Sequence, residues 1–94
     1  MSLKTFPFDA ADAFDTPEAQ AELLADAFAS GDAKAVTAAL GLIARAKGMT
    51  HIARDAGLSR EAVYRATGPE GNPTLTTLMA IMRSTGIKLS AEAV

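Results

Sequence analysis

The residues of this sequence best equipped for chemistry lie between positions 45 and 66. Arg45, Lys47, Arg54, Arg60 and Arg65 stand there against Asp55 and Glu61, a balance of +3 over residues 45–65. Arginine carries a planar fork that bridges O6 and N7 of guanine or holds a phosphate. Arg60 and Arg65 are the first candidates for reading bases, and Arg45 and Lys47 are weaker candidates for phosphate. Glu61 has two readings: it accepts a hydrogen bond from cytosine N4, or it pairs with Arg65 across i,i+4. Tyr64 also has two: contact with a phosphate or a thymine methyl, or a partly buried ring under the loop that follows. Thr50, His51 and Arg54 would lie nearer a nucleic-acid backbone, with Thr50 and the free amides of a helix start suited to phosphate.

Other chemistries find little material. The chain has no cysteine, so it has no disulfide framework, thiol nucleophile or thiolate metal site. One histidine, His51, leaves no multi-histidine metal centre and makes an unconvincing general base. Asp9, Asp12 and Asp15 recur at every third position but lack the glycine and closing glutamate of a calcium loop. Gly68-Pro69-Glu70-Gly71 lacks the context of a nucleotide-binding loop, and neither a phosphate-loop nor a zinc-protease motif occurs. The expectation is a protein that is not an enzyme and needs no metal or cofactor.

The candidate residues need two short helices to hold them, roughly Met49–Ala56 and Ser59–Ala66. Ile52 and Ala56 face inward on the first, and Ala53 is small where two helices would cross closely. Gly57 can take positive φ and turn the chain, Leu58 plugs the core, and Ser59 can cap the second helix, where Val63 and Ala66 are buried. Ser59, Arg60, Glu61, Tyr64 and Arg65 are left on the open side. The spacing is that of a helix-turn-helix over residues 49–66, whose second helix enters the major groove.

Three further helices complete the reading. Thr16-Pro17-Glu18 starts one that Gly31 stops, and Asp32 caps the next, which ends at Lys47-Gly48. Gly41 inside that helix points to a close crossing. Asn72-Pro73 is read as the start of the last helix, Leu75, Leu78, Met79 and Met82 as its apolar face, and Gly86 as its end. Ile87 and Leu89 read as a strand or docking segment rather than helix. Ahead of all this, Phe6-Pro7-Phe8 suits an extended segment and Asp9–Phe14 a short capped turn.

The whole chain of 94 residues, 21 of them alanine with four Phe and no Trp, fits one all-α domain. Residues 1–31 form an acidic extension and first helix, part of the same domain as the core at 32–94. Residues 1–32 carry one base and seven acids, net -6, while residues 33–94 carry eight bases and four acids, net +4. The total of -2 therefore averages two unlike surfaces, an arrangement that fits a basic nucleic-acid face beside an acidic arm with another partner. No apolar run approaches a membrane span and no signal peptide is visible, so the expectation is a cytoplasmic protein.

Several motifs in order carry a more specific likeness: Phe8-Asp9 through Asp15, Asp32-Ala-Lys-Ala-Val36, and Ala44-Arg-Ala-Lys-Gly48. Gly57-Leu-Ser-Arg-Glu61, Pro69-Glu-Gly-Asn-Pro-Thr74 and Thr85-Gly-Ile-Lys-Leu89 continue it. The sequence resembles the antidote proteins of bacterial addiction modules, the HigA-like antitoxin branch of the lambda-repressor/Cro type helix-turn-helix superfamily. This resemblance implies a five-helix lambda-repressor-like DNA-binding domain that forms a homodimer on a double-stranded DNA operator with two-fold symmetry. It implies a repressor of its own operon and the antitoxin of a type II toxin-antitoxin system, with a RelE/HigB-like toxin as partner. By position, Ala53, Gly57 and Val63 match the superfamily's structural residues, and Arg60, Glu61 and Arg65 match positions that commonly read bases. Met49 replaces a glutamine common at the start of the first short helix, which shifts a phosphate contact toward Thr50 or the backbone. Two alternatives accompany this reading: a protein-interaction module without DNA binding, and a solitary or phage-type regulator with no toxin.

Overall fold

A computed structural model of the chain describes residues 14–94. The Phe6-Pro7-Phe8 segment and most of the Asp9–Phe14 turn lie outside the described residues. Five helices make up the fold: α1 (Pro17–Ser30), α2 (Ala33–Lys47), α3 (Met49–Ala56), α4 (Arg60–Thr67) and α5 (Leu75–Thr85). No strand occurs among the described residues, so the all-α expectation holds.

Side-chain caps set most of the helix starts. Thr16 Oγ1 accepts from the Ala19 amide at 3.2 Å and Asp32 Oδ1 from the Lys34 amide at 3.0 Å. Ser59 Oγ accepts from the Ala62 amide at 3.0 Å at the head of α4. The start of α5 departs from the Asn72-Pro73 reading: Thr74 is the cap, its Oγ1 accepting from the Thr77 amide at 3.2 Å, and the helix begins at Leu75.

α2 is the central element and packs against each of the other four helices. Its buried face runs through Val36, Ala39, Leu40, Ile43 and Ala44. Leu40 and Ile43 meet Ile52 of α3, Val63 of α4 and Ile81 of α5 in the innermost layer. Gly41 sits where α2 crosses the end of α4: a Cβ there would stand 3.3 Å from Cβ of Thr67, which accounts for a glycine inside a helix.

The apolar face of α5 is rotated from the sequence reading. Ile81, Met82 and Thr85 are buried and Leu78 packs against the core, whereas Leu75 is 69% and Met79 49% exposed. Burial of Thr85 is tolerable because its hydroxyl donates to the Met82 carbonyl at 2.6 Å. Beyond Gly86 the chain is non-helical, with Ile87 against the core and Leu89 46% exposed, a docking segment rather than a strand.

Candidate nucleic-acid interface

The turn between α3 and α4 is fixed by backbone geometry. Gly57 adopts φ 72°, and its amide donates to the Arg54 carbonyl at 3.2 Å. The Leu58 amide donates to the Ala53 carbonyl at 2.9 Å, so two of the last four carbonyls of α3 are satisfied as the chain reverses. A residue with a Cβ would be strained at this φ. Leu58 then packs on the core and Ser59 caps α4, as their sequence roles require.

Both short helices divide their residues in the same way. Helical rotation puts positions i, i+1, i+4 and i+5 on one arc. On α3 that arc holds Thr50, His51, Arg54 and Asp55, and on α4 it holds Arg60, Glu61, Tyr64 and Arg65; all eight are exposed. The opposite arcs are buried through Met49, Ile52 and Ala53 on α3, and through Val63 and Ala66 on α4. The structural residues expected in this segment, Ile52, Ala53, Gly57, Leu58 and Val63, thus occupy core or turn positions. Their charged neighbours face solvent.

Individual side chains differ in exposure and partners. Tyr64 is 48% exposed, so about half of its surface remains open to a ligand. Glu61 makes no ion pair with Arg65 among the described residues. Two i,i+4 contacts lie outside the sequence reading. His51 Nε2 lies 3.3 Å from Asp55 Oδ2, and Arg60 Nη2 donates to Tyr64 Oη at 3.4 Å. Both follow the rule that residues four apart on a helix are neighbours, and that spacing was the available signal.

Two supporting features complete the geometry. The start of α3 has no side-chain cap, which leaves its first amides without a side-chain acceptor, next to exposed Thr50. The loop after α4 is pinned from α2, where Lys34 Nζ donates to the Pro69 carbonyl at 2.9 Å. No cluster of potential metal ligands forms among the described residues. No helix among them is long and apolar enough to cross a membrane.

The class defined by these features is a small five-helix domain, consistent with a small helical DNA-binding fold, that turns one arc of two consecutive short helices outward. The chain belongs to the family described as "probable addiction module antidote protein", whose model it matches over residues 4–93. It is also similar to an uncharacterized protein of Haemophilus influenzae, with 46% identity over 57 residues. That stretch covers 61% of this chain and 59% of the relative's length. No solved structure matches.

Proposed function

We propose that the protein is a sequence-specific DNA-binding repressor and the antitoxin of a type II toxin-antitoxin module, regulating its own operon. The observation that carries the DNA reading is the paired solvent-facing arc of α3 and α4, joined by a tight glycine turn. α4 is the recognition helix in this reading. Arg60 in its first turn and Arg65 in its last read bases, with Glu61 able to accept from cytosine N4. Thr50, His51, Arg54, Ser59 and Tyr64 flank them as backbone or mixed contacts. Ser59 Oγ already accepts the Ala62 amide, so its hydroxyl proton is what remains for a phosphate oxygen.

Family membership supports a toxin as second partner. A small basic protein of RelE/HigB type would suit the acidic N-terminal third, where residues 1–32 carry seven acids against one base. Dimerisation fits the exposed apolar residues of α5 and the tail. Leu75, Met79 and Leu89 remain uncovered beside a hollow of about 250 Å³ lined by Met79, Met82, Arg83, Ile87 and Leu89. A two-fold dimer would place two copies of α4 in successive major grooves, about 34 Å apart.

The test is substitution of Arg60 and Arg65 by alanine, measured on duplexes carrying the upstream region of the gene. Each loss should relax preference at one base position, at about 1–3 kcal/mol per bidentate contact. Equal weakening on native and scrambled duplexes would identify both as phosphate contacts instead. Binding to neither duplex, with the fold intact, would leave the protein-interaction alternative.

A further inference from the structure

Arg60 and Tyr64 lie one turn apart on the exposed arc of α4, and they touch. The Arg60 guanidinium carbon stands 5.7 Å from the centroid of the Tyr64 ring. Its Nη2 also donates to Tyr64 Oη at 3.4 Å. Together these distances put the guanidinium toward the hydroxyl end of the ring. The hydrogen bond is long, whereas the ring contact falls inside the ~6 Å range of a cation–π pair, so the ring is the stronger hold.

Packing does not account for the tyrosine. Val63 and Ala66 already bury the inner arc of α4, and the Tyr64 ring is half exposed on the other side. Arg65 has no comparable ring or ion-pair partner among the described residues. The two arginines of α4 therefore differ in their freedom before any ligand arrives.

We propose that Tyr64 is the positioning residue of Arg60: its ring holds the guanidinium fork at a set angle for reading a base edge. The proposal rests on α4 being the DNA-facing helix, and it adds a division of labour to that reading. Arginine is long and has many rotamers, and bidentate recognition needs its plane aligned with two acceptors. Restricting the fork beforehand lowers the ordering cost at binding. Tyr64 thereby acts on the base pair that Arg60 reads and leaves the one read by Arg65 unaffected.

The experiment begins with duplexes selected by the wild-type protein from a random-sequence pool. R60A, R65A, Y64A, Y64F and the R60A/Y64A pair are then measured on the selected duplex and its single base-pair substitutions, between 50 and 200 mM salt. R60A should flatten preference at one base pair. Y64A should reduce preference at that same pair by about 2- to 5-fold, the span of an exposed cation–π contact. It should leave the Arg65 pair and the salt slope unchanged, and it should have no further effect in the R60A background. Y64F keeps the ring and should retain most of the preference; because it also keeps the packing, it guards against a folding defect in Y64A.

An equal effect of Y64A with and without Arg60 would overturn the proposal. So would Y64F as damaging as Y64A, since the hydroxyl rather than the ring would then carry the effect. Those outcomes, with sequence enrichment intact, leave the DNA reading standing. Failure of the wild-type protein to enrich any sequence would overturn the DNA reading and this inference together.

Discussion

Gly71 offers a sharp test of how α4 is held. A Cβ at this position would stand 2.3 Å from the Ala66 carbonyl oxygen, and 2.7 Å from both the Ala66 carbonyl carbon and the Arg65 oxygen. All three atoms belong to the helical backbone at the end of α4, which cannot swing aside as a flexible side chain would. The loop has little slack on its other side. The Gly71 amide donates to the Gly68 carbonyl at 2.9 Å, and Lys34 anchors Pro69 from α2. G71A must therefore displace either the loop or the last turn that carries Arg65. Overpacking against well-ordered atoms costs about 1–3 kcal/mol, and a backbone clash belongs in the upper part of that range, roughly 2–3 kcal/mol. For a domain of this size the loss corresponds to a Tm lower by roughly 10–20 °C. Urea unfolding followed by far-UV circular dichroism should show a lower midpoint with an unchanged slope. E70A, at the exposed neighbouring position, should stay within about 0.5 kcal/mol of wild type. A G71A protein as stable as E70A would refute the close passage of this loop over α4.

Removing the cap of α2 with D32A should cost about 1 kcal/mol in the same unfolding assay, because the Lys34 amide loses its acceptor. Replacing both Leu75 and Met79 with glutamate should leave the helical spectrum intact and convert the proposed dimer to monomer in sedimentation velocity, since both side chains face solvent in the single chain. Dimer retained in that variant would place the interface elsewhere. Reversing the charges of Asp9, Asp12 and Asp15 should weaken capture of the cognate toxin and flatten its salt dependence; unchanged affinity and slope would remove the acidic arm from that contact.

The parts of the fold that were legible from sequence are those set by local chemistry. Thr16, Asp32 and Ser59 can each cap only the helix that follows, and all three do. Gly31, Gly57 and Gly86 end helices in the left-handed region, where their lack of a Cβ removes the steric cost. The sequence of α5 is ambiguous because two registers compete. Leu75, Leu78, Met79 and Met82 share the i, i+3, i+4, i+7 spacing with Leu78, Ile81, Met82 and Thr85. The first set is wholly apolar and looks better by composition. The second is the one buried, since the Thr85 hydroxyl satisfies itself within its own helix. Its start is ambiguous for a similar reason: Asn72 and Thr74 can both cap, and only the geometry chooses Thr74. On α4 the exposed arc followed from the positions of Val63 and Ala66. The Arg60–Tyr64 contact did not, because spacing permits such a pair without selecting it over a pairing of Glu61 with Arg65.

In the proposed function the outward arc of α3 and α4 reads DNA sequence. That reading is tested most directly by the affinity of the wild-type protein for the DNA upstream of its own gene, against a scrambled duplex of equal length and composition, between 50 and 200 mM salt. Binding to the native duplex should be about 10³-fold or more tighter than to the scrambled one, with both affinities falling linearly on a log–log salt plot. Equal affinity for the two duplexes across that range, or no binding to either at 50 mM salt, would contradict it.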